Sequence, residues 1–84
     1  MSDTGHWKMG LSPVQQDMYN FLVLFQKENG YMPTMREIGE GKIDGEQVIK
    51  KRTSTNSVRQ ILMCLQERRW IEMMPMRGRS IRLL

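Results

Sequence analysis

Apolar residues recur at three- and four-residue steps early in the chain, which predicts an amphipathic helix over residues 13 to about 29. The stripe comprises Val14, Met18, Phe21, Leu22 and Phe25. Ser12 is the expected N-cap, and Gly30 is the expected residue in the left-handed conformation that ends the helix. Val23 and Leu24 widen the stripe, so we expect this helix to be buried on more than one side.

A second helix start follows almost at once. Thr34 and Glu37 form a capping box, which predicts a short helix that the glycines soon after it bring to an end. The stretch from about 39 to 53 has no clear periodicity. Its Asp44-Gly45 dipeptide is typical of a hairpin turn, and a small ribbon or a plain loop both fit it.

The clearest helical pattern begins after the expected N-cap Ser54. The inward stripe comprises Val58, Ile61, Leu62 and Leu65. The opposite face carries Asn56, Arg59, Gln60 and Met63, with Ser57 at its edge. Two short strands, 70–74 and 80–84, close the chain around a turn that contains proline, glycine and two arginines. Three helices followed by a ribbon predict a mainly α fold with a small β-ribbon, the three-helix winged helix-turn-helix.

Charge is divided unevenly along the chain. The net charge is +4. Residues 1–49 hold four Lys or Arg against seven Asp or Glu, a balance of −3, whereas residues 50–84 hold nine against two, a balance of +7. The third helix and the ribbon therefore lie in a strongly basic stretch, which favours a polyanionic partner such as DNA. The alternative is a surface that is basic only for solubility.

Length and composition exclude several classes of protein. The 84 residues suffice for one small domain, which we place at 11–84, with 1–10 as a flexible arm. Cys64 is the only cysteine and His6 the only histidine, so a disulfide within the chain and a cysteine-rich zinc site are excluded. The sequence has no Walker loop and no paired catalytic residues. We therefore expect no enzyme and no cofactor.

The chain has no apolar run near the roughly 20 residues of a membrane span, and it begins with a polar segment unlike a signal peptide. We accordingly expect a cytoplasmic, nucleoid-associated protein with no membrane contact.

Two blocks of the sequence carry a recognisable pattern. Residues 11–38 begin Leu-Ser-Pro-Val-Gln-Gln and end Gly-Tyr-Met-Pro-Thr-Met-Arg-Glu-Ile, and residues 54–84 begin Ser-Thr-Asn-Ser and end Ile-Arg-Leu-Leu. In motif and spacing both blocks resemble the DNA-binding domain of the LexA repressor. The stretch between them is longer than the family pattern, which puts an insert at about 39–53. LexA continues into a self-cleaving peptidase where this chain stops, so we do not expect self-cleavage.

The resemblance implies which residues meet DNA. The family positions that read or approach bases match Ser54, Asn56, Ser57, Arg59 and Gln60. The LexA of enteric bacteria has glutamates where this chain has Arg59 and Gln60. We therefore expect a different preferred DNA sequence, because Arg suits guanine and Gln suits adenine. Five further residues are expected to contact the DNA backbone by their charge and position: Lys50, Lys51, Arg52, Arg77 and Arg79.

The sequence thus predicts a sequence-specific binder of double-stranded DNA, namely a small bacterial or phage transcriptional regulator such as a repressor. An alternative is a winged-helix protein that binds a host protein, for example polymerase, with little or no DNA binding. The methionine-rich ribbon and the insert favour this alternative. Binding to RNA or single strands is a third reading, although only Trp70 among the aromatic residues lies in the basic part. Whether the chain forms a homodimer on DNA is left open.

Overall fold

The structure, a computed structural model, describes residues 10–74 and 80–84. Three helices and two small antiparallel ribbons make up the described part. Their bounds are α1 Pro13–Asn29, α2 Met35–Glu40, β1 Lys42–Ile43, β2 Glu46–Gln47, α3 Thr55–Glu67, β3 Ile71–Met73 and β4 Ile81–Leu83. This order confirms the predicted winged helix-turn-helix. The expected arm, apart from Gly10, and the turn with Arg77 and Arg79 lie outside the described residues.

Local sequence fixes where α1 begins and ends. The Ser12 Oγ accepts a hydrogen bond from the Gln15 N–H at 3.3 Å, and the Gln15 side chain accepts one from the Ser12 N–H at 3.0 Å. This reciprocal pair satisfies two donors at the helix start that otherwise lack partners. Gly30, at φ +80°, ends the helix in the left-handed conformation that was predicted.

A second capping box starts α2, where Thr34 and Glu37 exchange hydrogen bonds of 2.8 and 3.2 Å. Only one of the two glycines expected to end this helix does so. Gly39 lies within α2, whereas Gly41 caps it at φ +69°. The helix therefore extends to Glu40, and the chain leaves it at Gly41.

The insert forms a ribbon, which decides between the two conformations that its sequence allowed. β1 and β2 pair antiparallel, with Lys42 opposite Gln47 and Ile43 opposite Glu46. Asp44 and Gly45 both have positive φ, at +52° and +81°, as a two-residue turn of this kind requires. Ile43 is buried, so the ribbon is anchored to the core by one side chain.

The core lies where α1, α2, α3 and β3 meet. Its fully covered members are Phe21, Leu22, Ile38, Leu62, Leu65 and Ile71. The expectation that α1 is buried on more than one side is wrong, because Val23 and Leu24 remain 39% and 38% exposed. A domain this small has too few elements to cover both faces of a long helix.

The closing ribbon is shorter than predicted at both ends. β3 and β4 pair antiparallel over three residues each, and Trp70, Met74, Ser80 and Leu84 lie outside the strands. Glu72 stands opposite Arg82, and the Arg82 Nη2 donates to the Glu72 Oε1 at 2.6 Å. This pair lies on the exposed side of the ribbon.

Candidate nucleic-acid interface

Helix α3 buries one face and exposes the other. Val58, Leu62 and Leu65 are at most 1% exposed. The opposite face presents Asn56, Arg59, Gln60 and Met63, with Ser57 half-buried at its edge. Within the described residues, the side chains of Asn56, Arg59 and Gln60 have no intramolecular hydrogen-bond partner. Their donors and acceptors are therefore available to a ligand, and they extend from a rigid helix.

Ser54 has a structural role at the start of this helix. Its side chain is the N-cap of α3 and accepts a hydrogen bond from the Ser57 N–H at 3.3 Å. A hydroxyl group retains one donor and a second lone pair when it caps a helix. Ser54 is exposed, so these remaining positions can still meet a ligand beside the helix N-terminus.

The basic segment before α3 divides into two surface residues and one packed residue. Lys50 and Lys51 are exposed, and the Lys51 Nζ lies 3.9 Å from the Glu40 Oε1. Arg52 is half-buried, and its backbone N–H donates to the Gly39 carbonyl at 2.8 Å. The Arg52 Nε is buried without a hydrogen-bond partner in the described part of the chain. Arg52 thus lines both the hollow between α2 and the start of α3 and a hollow along α1.

A hollow of about 570 Å³ separates α2 from the start of α3. Three basic side chains line it, those of Arg36, Lys51 and Arg52, together with Ser54 and the single carboxylate of Glu40. The positive end of the α3 dipole adds to this charge. Sequence reasoning missed Arg36, because one arginine on a short helix carries no signal until the fold brings the basic segment beside it.

Sequence reasoning also missed Gln47, which ties the insert to α2. Its Nε2 donates to the Glu40 carbonyl at 2.8 Å and to the Ile49 carbonyl at 2.6 Å. The N–H groups of Val48 and Ile49 both donate to the Gly41 carbonyl, at 2.8 and 3.2 Å. These four bonds direct the chain from the ribbon toward α3. A single glutamine in a short strand has no sequence signature for such a role.

Several side chains in and beside the closing ribbon pack against the core, which leaves them less accessible to a ligand than the exposed side chains of α3. Trp70 is half-buried and packs edge-to-face on Tyr19, with ring centroids 4.9 Å apart. This contact favours a packing role for Trp70 over a role as a stacking platform for bases. Met73 also packs against the core, whereas Met74 is 41% exposed.

Other kinds of site find little support in the part of the chain that the structure describes. Residues 10–74 and 80–84 contain no group of three His, Cys, Asp or Glu side chains placed to hold a metal ion. Within the same ranges, none of the helices combines the length and apolarity that crossing a membrane requires. The Cys64 thiol is free and half-buried.

Comparison of the sequence with known proteins and protein families agrees with this geometry. No curated protein matches the sequence. The family model for the LexA DNA binding domain matches residues 8–80 of the 84, a span that includes all three helices and the insert. The predicted resemblance is confirmed, and the chain belongs to the family of LexA DNA-binding domains.

Proposed function

We propose that this protein is a sequence-specific regulator of transcription, of bacterial or phage origin, that places α3 in the major groove of double-stranded DNA. Membership of a DNA-binding family gives the general activity and points to a non-catalytic role. The observation that carries the proposal of base reading is the exposed face of α3, where the side chains of Asn56, Arg59 and Gln60 lie opposite the buried stripe and have no hydrogen-bond partner among the described residues.

These side chains suit the major groove for chemical reasons. An arginine can donate two hydrogen bonds to a guanine, and an asparagine or glutamine can bond an adenine through two groups. In the proposal, Arg59 reads guanine, Gln60 and Asn56 read adenine, and Ser57 approaches the bases from the edge of the face. Ser54 contacts DNA near the helix N-terminus while it caps the helix.

Backbone contacts would come from the cations around α3. Lys50 and Lys51 are exposed, and the pair between Lys51 and Glu40 is long and solvated, so exchanging it for a phosphate costs little. Arg36 adds a cation from α2. We retain Arg52, Arg77 and Arg79 as proposed backbone contacts. Because Arg52 is half-buried, we expect it to contact only phosphates that lie beside the start of α3.

A selection from random double-stranded oligonucleotides tests this function. The proposal expects one enriched motif, and its symmetry and half-site spacing would report whether two copies bind together. Affinity for that motif should fall with salt at a log–log slope of roughly −4 to −5, if about five phosphates are neutralised. Failure to enrich any sequence, or an affinity independent of salt, would refute the proposal.

Oligomeric state and location follow from the same reasoning. A single helix-turn-helix domain of this size contacts one half-site. We therefore propose that the protein binds as a homodimer on two half-sites about 34–36 Å apart. Sedimentation with the selected duplex should give two chains per duplex, and one chain per duplex would refute the dimer. A regulator of this kind acts in the cytoplasm, associated with the nucleoid.

A further inference from the structure

A groove runs between α1 and the insert, on elements that the DNA-binding proposal does not use for base reading. It consists of two adjoining hollows of about 430 and 240 Å³, which share Leu24 and Val48. We call it the acidic groove and define it by its apolar and acidic lining: Val14, Leu24, Val48, Asp17, Glu28, Asp44 and Glu46.

The apolar part of the acidic groove is exposed to solvent. Val14, Leu24 and Val48 are 47%, 38% and 41% exposed. They come from α1 and from the segment after β2, and the fold brings them together in the two hollows. A contiguous apolar surface inside a concave, polar-rimmed site is more typical of a binding surface than singly scattered apolar residues are.

The rim of the groove carries uncompensated negative charge. Asp17, Glu28, Asp44 and Glu46 form no ion pair with any residue in the described ranges. The smaller hollow has three of these carboxylates and no basic side chain. Two cations, Lys50 and Arg52, line only the larger hollow. The groove therefore repels phosphates at its acidic end and attracts cationic groups there.

The position of the smaller hollow leaves it accessible when DNA is bound. No residue of α3 lines either hollow, and none of the proposed DNA contacts lines the smaller one. Lys50 and Arg52, which are proposed backbone contacts, line only the larger hollow. A duplex on α3 would therefore leave the smaller hollow uncovered, and an occupant of that hollow and a duplex can be bound at the same time.

We propose that the acidic groove binds a basic peptide segment of a partner protein. Apolar side chains of that segment contact Leu24 and Val48, and Lys or Arg residues beside them pair with Glu28, Asp44 and Glu46. A second copy of this chain does not suit the site. A twofold dimer would bring the same acidic rims together, and the basic surface of another copy is the one that DNA occupies.

Selection from a library of random 12-residue peptides on the whole protein provides the test. We expect enriched peptides in which Lys or Arg flank two or more apolar residues. Leu24→Ser should lower the affinity for such a peptide about tenfold, because the substitution removes an apolar contact. Val23→Ser is the matched control, since Val23 has nearly the same exposure, 39% against 38%, but does not line the groove.

Charge is tested by a second matched pair of variants. Glu46→Lys should lower the affinity for the same peptide at least tenfold at low salt and much less at high salt. Glu67→Lys, on the last turn of α3, should leave that affinity unchanged. Saturating duplex DNA should change the peptide affinity by less than about twofold.

Four results would overturn the proposal. Three of them are enrichment of acidic or purely apolar peptides, equal losses of affinity in Leu24→Ser and Val23→Ser, and displacement of the peptide by DNA. The fourth is self-association of the protein that Leu24→Ser abolishes, which would favour a second copy of this chain as the occupant. The peptide selection and the two pairs of variants do not require that the protein bind DNA, so failure in them is distinguishable from failure of the proposed function.

Discussion

Replacement of Gly41 by alanine tests the junction that directs the chain from α2 toward the recognition helix. Gly41 has φ +69°, a conformation that costs an L-residue about 1–2 kcal/mol. A Cβ there would also lie 2.5 Å from the Ile49 carbonyl oxygen and 2.9 Å from the Gln47 Nε2. Both neighbours must move, which weakens the Gln47–Ile49 hydrogen bond and the bond from the Ile49 N–H to Gly41.

Each of these hydrogen bonds contributes about 0.5–1.5 kcal/mol. We therefore expect Gly41→Ala to lower the free energy of unfolding by about 3 kcal/mol. Gly30→Ala is the matched control, because Gly30 also has a positive φ of +80° and a Cβ there meets nothing within 4 Å. It should cost only about 1–2 kcal/mol. Urea denaturation followed by far-ultraviolet circular dichroism measures both. Losses equal within about 0.5 kcal/mol would refute the proposed role of the close contact at Gly41.

Three other changes test separate parts of the account. Lys50→Ala should reduce the salt dependence of DNA affinity by about one unit of log–log slope while lowering affinity equally for all duplexes; a loss confined to one sequence would contradict a backbone contact. Arg69→Gly should stabilise the protein by about 1 kcal/mol in urea denaturation, since Arg69 follows α3 at φ +68°, and a loss of stability would show that its side chain matters more than its backbone. Leu62→Ala should lower the free energy of unfolding by about 2–5 kcal/mol because Leu62 is fully buried, whereas Met63→Ala, at a position 45% exposed, should cost much less; similar losses would contradict the assignment of the two faces of α3.

The helices could be predicted because their determinants are local. A capping box needs only four consecutive residues. The N-cap at Ser12 and the capping box at Thr34 both form as expected. The two faces of α3 also follow directly from the spacing of its apolar residues. Local signals did not decide whether the insert forms a ribbon or a loop. Its strands have only two residues each, so few backbone hydrogen bonds favour the ribbon, and an Asp44-Gly45 turn fits either conformation. The bond from the Gln47 side chain to the Glu40 carbonyl, and the bonds from the Val48 and Ile49 N–H groups to the Gly41 carbonyl, help to hold the ribbon in place.

The same distinction applies to the candidate site. The exposed residues of α3 were predictable from periodicity, whereas the burial of Arg52 depends on where the insert directs the chain. Leu24 shows the converse case. Its apolar side chain suggested a buried face of α1, but exposure depends on how many neighbouring elements reach the helix. The error is informative, since the residue that the core does not cover lines the acidic groove.

Changing Arg59 to glutamine and repeating the random-duplex selection tests most directly whether α3 reads bases. The Arg59 side chain is exposed and has no hydrogen-bond partner among the described residues, so the substitution should leave the fold unchanged. Because arginine pairs with guanine and glutamine with adenine, the account predicts that one position of the enriched motif changes from guanine to adenine while the other positions are retained. An unchanged motif, or equal weakening on every sequence, would contradict base reading by this helix.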